Sequence, residues 1–190
     1  MKNEKRFYTG IGSRKAPKRV LELIETISMD LEKKSFVVRS GDADGCDKAF
    51  TNKIKDGNKH IYHPWRGFTE NTPILYEAET WTYEIIRNVH NGWNKLKESE
   101  KKLHARNVHQ VLGHQGFLNK SEFVILYAEP NKMLNKIVSL KGGTNSAFQL
   151  AMKNNIKVYN LYFSKDIEEL NKFMNPKPYG ILDIDDCFNY

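Results

Sequence analysis

Apolar residues in this chain come in short bursts, separated by stretches with a helical period. Phe7-Tyr8-Thr9 reads as a strand ending in the turn Gly10-Ile11-Gly12. Pro17 suits the first turn of a helix, and Val20, Leu21, Ile24, Ile27 and Leu31 then recur on one helical face. Phe36-Val37-Val38 is a short, wholly apolar strand. The helix after it starts near Asp44, carries Ala49, Phe50 and Ile54, and ends at Gly57-Asn58. His60-Ile61-Tyr62 is a third strand, stopped by Pro64. Strands alternating with helices imply parallel pairing through right-handed crossovers.

From Trp65 to Gly116 the strand signals stop. Helices are expected over 74–89 and 98–112, and the region reads as a helical insertion or cap. Lys102, Arg106 and His109 lie about one turn apart and share a face. That face is either a solvated basic surface or one that closes over a phosphate-bearing ligand. Phe123 to Tyr127 is the clearest buried strand. A helix over 145–154 turns Ala147, Leu150 and Ala151 inward, Val158 to Tyr162 forms the last strand, and 167–173 forms a closing helix. Pro176 and Pro178 open an irregular tail. The expected fold is α/β: a Rossmann-like open parallel sheet flanked by helices. It forms one domain over 1–175, with a helical insertion at about 66–116 and a tail at 176–190.

Composition narrows the classes. The 190 residues are 39% hydrophobic and 28% charged, an ordinary profile for one folded domain. No apolar run reaches membrane-span length, and the charged N-terminus lacks the apolar stretch of a signal peptide. The two cysteines, Cys46 and Cys187, form neither a metal pattern nor a disulfide framework, so a cytoplasmic location is expected. The net charge of +7 suits an anionic partner: a nucleotide, a nucleic acid or an acidic protein surface.

The candidate chemistry sits in three glycine-rich stretches at strand-to-helix junctions. They are Thr9-Gly10-Ile11-Gly12-Ser13-Arg14, Arg39-Ser40-Gly41-Asp42-Ala43-Asp44-Gly45-Cys46-Asp47 and Lys141-Gly142-Gly143-Thr144-Asn145-Ser146. Glycine permits close backbone approach. A loop entering a helix leaves free N–H groups at the positive end of the dipole, which suits an anion. Ser and Thr at the same places also cap helices with no ligand present. Arg14 and Arg39 either clamp a phosphate or make surface salt bridges. Asp47 either caps the loop or bonds a ribose or base, and Asp42 either faces a ribose hydroxyl or solvent.

Other motifs are excluded. The first loop lacks the third glycine of the dinucleotide fingerprint, and no P-loop is present. The aspartate-rich loop has its glycine at the wrong place for calcium. The six histidines show no metal spacing, and no Gly-x-Ser-x-Gly elbow exists. No cofactor and no metal are expected.

Taken together, the first loop, the Ser40-Gly41…Ala43-x-Gly45-x-Asp47 loop and the Gly142-Gly143-Thr144 loop resemble the SLOG superfamily. That group includes the DNA-processing protein A family and the Lonely Guy phosphoribohydrolases. The stretches Thr9 to Arg14, His63-Pro64-Trp65 and Leu103 to Gly113 look most like a phage-encoded branch of it. The resemblance runs from Tyr8 to about Leu161. It implies a pocket lined by Gly10, Gly12, Ser13, Arg14, Ser40, Gly41, Gly142, Gly143 and Thr144. Arg39, Asp42, Asp47, Arg106 and Asn145 complete the expected binding set. Two positions depart from the pattern. Asp42 stands where the family's second loop carries glycine. Gln149 stands where the phosphoribohydrolases carry a catalytic glutamate, and an amide cannot act as a carboxylate base.

The leading expectation is therefore a binding module for a nucleotide or nucleotide-derived small molecule. On the phage branch it would sequester a host immune signalling nucleotide, as an anti-defence protein in the host cytoplasm. One alternative is a nucleoside-phosphate N-glycosidase using Asp44, Asp47, Glu77 or Glu79. Another is a single-stranded DNA-binding protein, with Trp65, Trp81 and Trp93 stacking on bases. Relatives pair, so a homo-oligomer is expected.

Overall fold

The computed structural model describes residues 5–114, 119–131, 133, 134, 136, 137 and 139–175. The expected tail at 176–190 lies outside the described residues, as does Cys187. Five strands form one sheet: β1 (Arg6–Gly12), β2 (Phe36–Ser40), β3 (Lys59–Ile61), β4 (Phe123–Tyr127) and β7 (Lys157–Asn160). Their order across the sheet is β3-β2-β1-β4-β7, and every pairing is parallel. A small antiparallel hairpin of β5 (Met133–Leu134) and β6 (Lys136–Ile137) lies between β4 and the next helix. The helices are α1 (Lys18–Lys33), α2 (Cys46–Thr51), α3 (Thr80–Arg87), α4 (Glu98–Leu112), α5 (Thr144–Lys153) and α6 (Ser164–Met174). The fold is the expected α/β, Rossmann-like arrangement. Among the described residues no helix is long and apolar enough to cross a membrane.

A parallel sheet covered on both faces must be apolar on both, and β4 shows how. Phe123, Ile125 and Tyr127 enter the core shared with α1, α2 and α6. Val124 and Leu126, with Ala128 just beyond the strand, enter the core shared with α3, α4 and α5. The helical stripe of α1 buries Val20, Ile24, Ile27 and Leu31 as its spacing requires.

Three differences from the sequence reading bear on the site. Strand β1 continues three residues past Thr9, because Gly10, Ile11 and Gly12 pair with Ile125, Leu126 and Tyr127. Helix α3 starts at Thr80, not near Ile74. Ile74 and Leu75 return to the sheet edge, where the Ile74 N–H donates to the Ile61 carbonyl at 2.7 Å and the His63 N–H donates to the Leu75 carbonyl at 2.9 Å. The segment expected as an insertion then divides in two. Residues 62–97 form the loop and α3, while α4 is an integral layer of the fold. Ala105, Val108, Val111 and Leu112 are fully buried, and Thr9 Oγ1 donates to the Gln110 carbonyl at 2.7 Å. Helix α4 reads as an exposed cap in the sequence because its buried surface also holds His104, Arg106, Asn107, His109 and Gln110.

Candidate functional site

Strands β1 and β4 are neighbours, yet β1 leads to β2 on one side and β4 leads to β7 on the other. Their following loops part and leave a crevice at the carboxyl ends, the usual ligand position in such sheets. A cavity of about 620 Å³ opens there. Gly12, Ser13 and Arg14 line it from β1, and Tyr127, Ala128 and Glu129 from β4. His104, Arg106 and Asn107 come from α4, and Gly142, Gly143 and Thr144 from the start of α5.

Backbone hydrogen bonds fix this frame. The Ser13 N–H donates to the Tyr127 carbonyl at 2.9 Å, and the Cys46 N–H donates to the Ser13 carbonyl at 3.2 Å. Gly142 has φ +74°, a conformation that favours glycine. It turns the chain into α5, where the Asn145 N–H donates to the Gly142 carbonyl at 3.2 Å and the Ser146 N–H to the Gly143 carbonyl at 3.4 Å, and the helix dipole is positive at this end.

Arg106 dominates the electrostatics. It is 5% exposed, and Asp47 beside it is 2% exposed. Nη1 of Arg106 stands 3.6 Å from Oδ2 of Asp47, an ion pair without a hydrogen bond. Oδ1 of Asp47 accepts from the Gly12 N–H at 3.2 Å. Among the described residues Nε and Nη1 of Arg106 have no hydrogen-bond partner, and neither atom is exposed; Nη1 packs toward Gly41 and Gln110. Burial pulls the Arg106 pKa down, and Asp47 opposes that shift. Burial likewise raises the Asp47 pKa, against the pull of Arg106. A desolvated guanidinium is costly to bury, and the Asp47 carboxylate offsets part of that cost. The other carboxylates of the cavity are engaged: Glu129 pairs with Lys141, and Glu100 Oε2 accepts from the Lys97 N–H at 2.8 Å.

One wall of the cavity is a hydrogen-bonded set joining α4 to α5. His104 Nδ1 lies 2.8 Å from Ser146 Oγ. Asn107 Nδ2 donates to Ser146 Oγ at 3.2 Å, and Ser146 Oγ donates to the Gly143 carbonyl at 3.0 Å. With the single serine proton used there, His104 Nδ1 carries the proton toward Ser146, and Nε2 is left as an acceptor. Burial, with His90 beside it at a ring separation of 4.5 Å, pushes the His104 pKa down to about 4. Its ring is therefore neutral near pH 7.

Of the expected binding residues, the structure gathers Gly12, Ser13, Arg14, Asp47, Arg106, Gly142, Gly143 and Thr144 around this cavity. The other six do not line it, and each has a different task. A Cβ on Gly10 would lie 2.3 Å from the Phe50 ring, so this glycine lets a buried phenylalanine pack on the backbone. Arg39 is fully buried on β2. Its Nη1 donates to the Asn119 carbonyl at 2.6 Å, and its Cζ stands 3.8 Å from the Phe7 ring centre. Ser40 Oγ donates to the Gly10 carbonyl at 2.8 Å. Gly41 makes room for Arg106: a Cβ there would lie 1.3 Å from Nη1. Asp42 has φ +56° and is buried, accepting from Thr69 Oγ1 and Asn71 Nδ2. It thereby fastens the loop after β3, in a left-handed conformation that aspartate tolerates better than most residues. Asn145 Oδ1 accepts from the Leu140 N–H at 2.9 Å and pins the turn before α5. Asn145 and Gln149 line a second cavity of about 410 Å³, with His90 and Ser146.

The sequence reading left His104, Asn107, Glu129 and Lys141 out of the binding set. For the first two a signal exists. Leu103, His104, Arg106 and Asn107 recur at helical spacing on α4, interleaved with Ala105 and followed by Val108, Val111 and Leu112 of the core. Glu129 and Lys141 carry no pattern of their own, and only the end of β4 and the α5 turn bring them together.

No protein-family model matches the chain, and no curated protein matches it. A solved structure of DNA processing protein A from Helicobacter pylori, described for its single-stranded DNA binding mode, is similar. The TM-score is 0.54 at 20% identity, over 96% of this chain and 78% of that one. The likeness shows the fold, the same one that the SLOG resemblance implies. The comparisons give no support to the phage branch.

Proposed function

We propose that this protein binds a nucleotide or nucleotide-derived small molecule at the carboxyl ends of β1 and β4. The observation that carries the reading is the cavity where the loops after β1 and β4 part, lined by the buried Arg106 and by Gly142, Gly143 and Thr144 at the start of α5. A phosphate at this point meets the guanidinium and the positive end of α5 together. The cavity volume falls in the range of small-molecule sites. Holding the ligand is favoured over cutting it. Gln149 lines the second cavity, and the carboxylates of the first are tied up by Arg106, Lys141 and the start of α4.

A second reading is single-stranded DNA binding. It is favoured by the likeness to a DNA processing protein and by the net charge of +7. Melting curves with nucleoside 5′-monophosphates, inorganic phosphate and a single-stranded oligonucleotide separate the two. The nucleotide reading expects a monophosphate to raise the melting temperature of the wild type but not of Arg106→Ala, and to be recovered intact. Release of free base would overturn the claim of binding without turnover. Stabilisation by the oligonucleotide alone, weakening steeply with salt, would favour DNA.

A further inference from the structure

The loop between β1 and α1 brings two cations to the cavity that no acid in the protein neutralises. Four basic residues line the cavity: Arg14, Lys15, Arg106 and Lys141. Arg106 faces Asp47, and Lys141 pairs with Glu129. The third lining carboxylate, Glu100, serves the start of α4, where it accepts from the Lys97 N–H. Arg14 and Lys15 are exposed, and among the described residues neither side chain has a salt bridge or hydrogen bond. Their backbone, by contrast, is fixed. Ser13 is held by the Tyr127 carbonyl and the Cys46 N–H, and the Lys15 N–H donates to Ser13 Oγ at 3.0 Å. Gly45, at φ +84°, lets this loop pack on the start of α2, since a Cβ there would lie 2.6 Å from the Arg14 Cα. Two accessible cations thus stand on a rigid base, which reduces the ordering cost of a ligand contact. Burial is the main cause of the pKa shifts at Asp47 and Arg106, and each also feels the positive charge of Arg14. Across the end of β4 lies the start of α5, tied there by the Lys141 N–H, which donates to the Glu129 carbonyl at 2.8 Å. The Ser13 loop and the α5 turn therefore flank neighbouring strand ends, about 4.8 Å apart, a spacing comparable with the span of a pyrophosphate.

We infer that Arg14 and Lys15 form a second anion subsite, so that the ligand carries a pyrophosphate: one phosphate lies at the start of α5 and the next meets these two side chains. This rests on the proposed nucleotide reading and refines it. A monophosphate fills one of the two positive regions and leaves the other to solvent. The pyrophosphate either ends the ligand, as in a nucleoside diphosphate, or bridges two of its groups.

Calorimetric titration with AMP, ADP and ADP-ribose tests this, at one fixed salt concentration in buffer free of divalent cations. The proteins are wild type, the double variant Arg14→Gln with Lys15→Gln, and the double variant Lys18→Gln with Arg19→Gln. The readout is the ratio of ADP to AMP affinity within each protein, from which any shared loss cancels. An exposed ion pair contributes up to about fivefold in affinity. Wild type should therefore prefer ADP about 3- to 30-fold, and the Arg14/Lys15 variant less than about twofold. The Lys18/Arg19 variant removes the same charge from α1 outside the cavity and should keep the wild-type ratio. With ADP preferred over AMP, tighter binding of ADP-ribose than of ADP identifies a bridging pyrophosphate, and weaker binding a terminal one. Equal wild-type affinity for AMP and ADP overturns the inference without any variant having to fold, and leaves the nucleotide reading standing. A ratio that falls as far in the Lys18/Arg19 variant as in the Arg14/Lys15 variant also overturns it, because net charge alone then sets the preference. Absence of wild-type binding to AMP and ADP alike defeats the underlying reading together with the inference.

Discussion

Gly41→Ala probes the placement of Arg106 without altering the arginine. The added Cβ would lie 1.3 Å from Nη1, 2.1 Å from Cζ of Arg106 and 2.6 Å from Nε2 of Gln110. Ordinary contact begins near 3.4 Å, so the guanidinium must withdraw by about 2 Å. The backbone at Gly41 is outside the left-handed region, so alanine itself fits and the whole effect is one of clearance. A displacement of that size exceeds the tolerance of a hydrogen bond. The variant should therefore lose what Arg106 gives to a bound phosphate. Hydrogen bonds to charged groups contribute about 1.5–3 kcal/mol, or roughly 10- to 100-fold in Kd. Overpacking costs a further ~1–3 kcal/mol of stability, a fall of about 2–12 °C in melting temperature for a chain of this size. Titration calorimetry with AMP and scanning calorimetry read the two effects separately. Because both changes act through one guanidinium, Gly41→Ala should add less than about twofold to the loss in Arg106→Ala. Unchanged AMP affinity in Gly41→Ala, with or without a lower melting temperature, would refute the claim that Arg106 meets the ligand from this position.

Two other changes separate framework from site. Arg39→Met removes the donor to the half-buried Asn119 carbonyl, so melting should fall by the equivalent of about 0.5–1.5 kcal/mol while AMP affinity moves less than twofold; a lost affinity at unchanged stability would return Arg39 to the binding set. Acid should destabilise the fold through His60 and His104, both held down to about 4 by burial. As pH falls below about 6.5 the unfolded chain takes up protons and the folded one does not. This stabilisation is therefore complete above 6.5 and drains away between 6.5 and 4, at up to about 1.4 kcal/mol per pH unit for each histidine. Melting temperatures across that window should decline, and more gently in His104→Gln; a flat profile in the wild type would contradict the burial of both rings.

The fold was legible because burial on two faces leaves a plain mark. The apolar run Phe123 to Tyr127 and the stripe on α1 need no tertiary information. The three glycine loops pointed to the end of the sheet where the cavity opens, but individual glycines were ambiguous. Gly10 and Gly41 are there for clearance against Phe50 and Arg106, which come from other elements and are invisible to local pattern. Arg39 and Arg106 look alike in sequence as basic residues beside candidate loops. The first turns inward under the end of α4, and the second lines the cavity. Helix α4 was hardest to place, because a buried face that mixes Arg106, Asn107 and Gln110 with Val108 and Val111 mimics an exposed one.

Titration of AMP into wild type and Arg106→Ala at one fixed salt concentration tests the central claim most directly. The account predicts saturable binding to the wild type and an affinity about 10- to 100-fold lower in the variant. Equal affinity in the two proteins, or no binding to a folded wild type that still takes up single-stranded DNA, would contradict it.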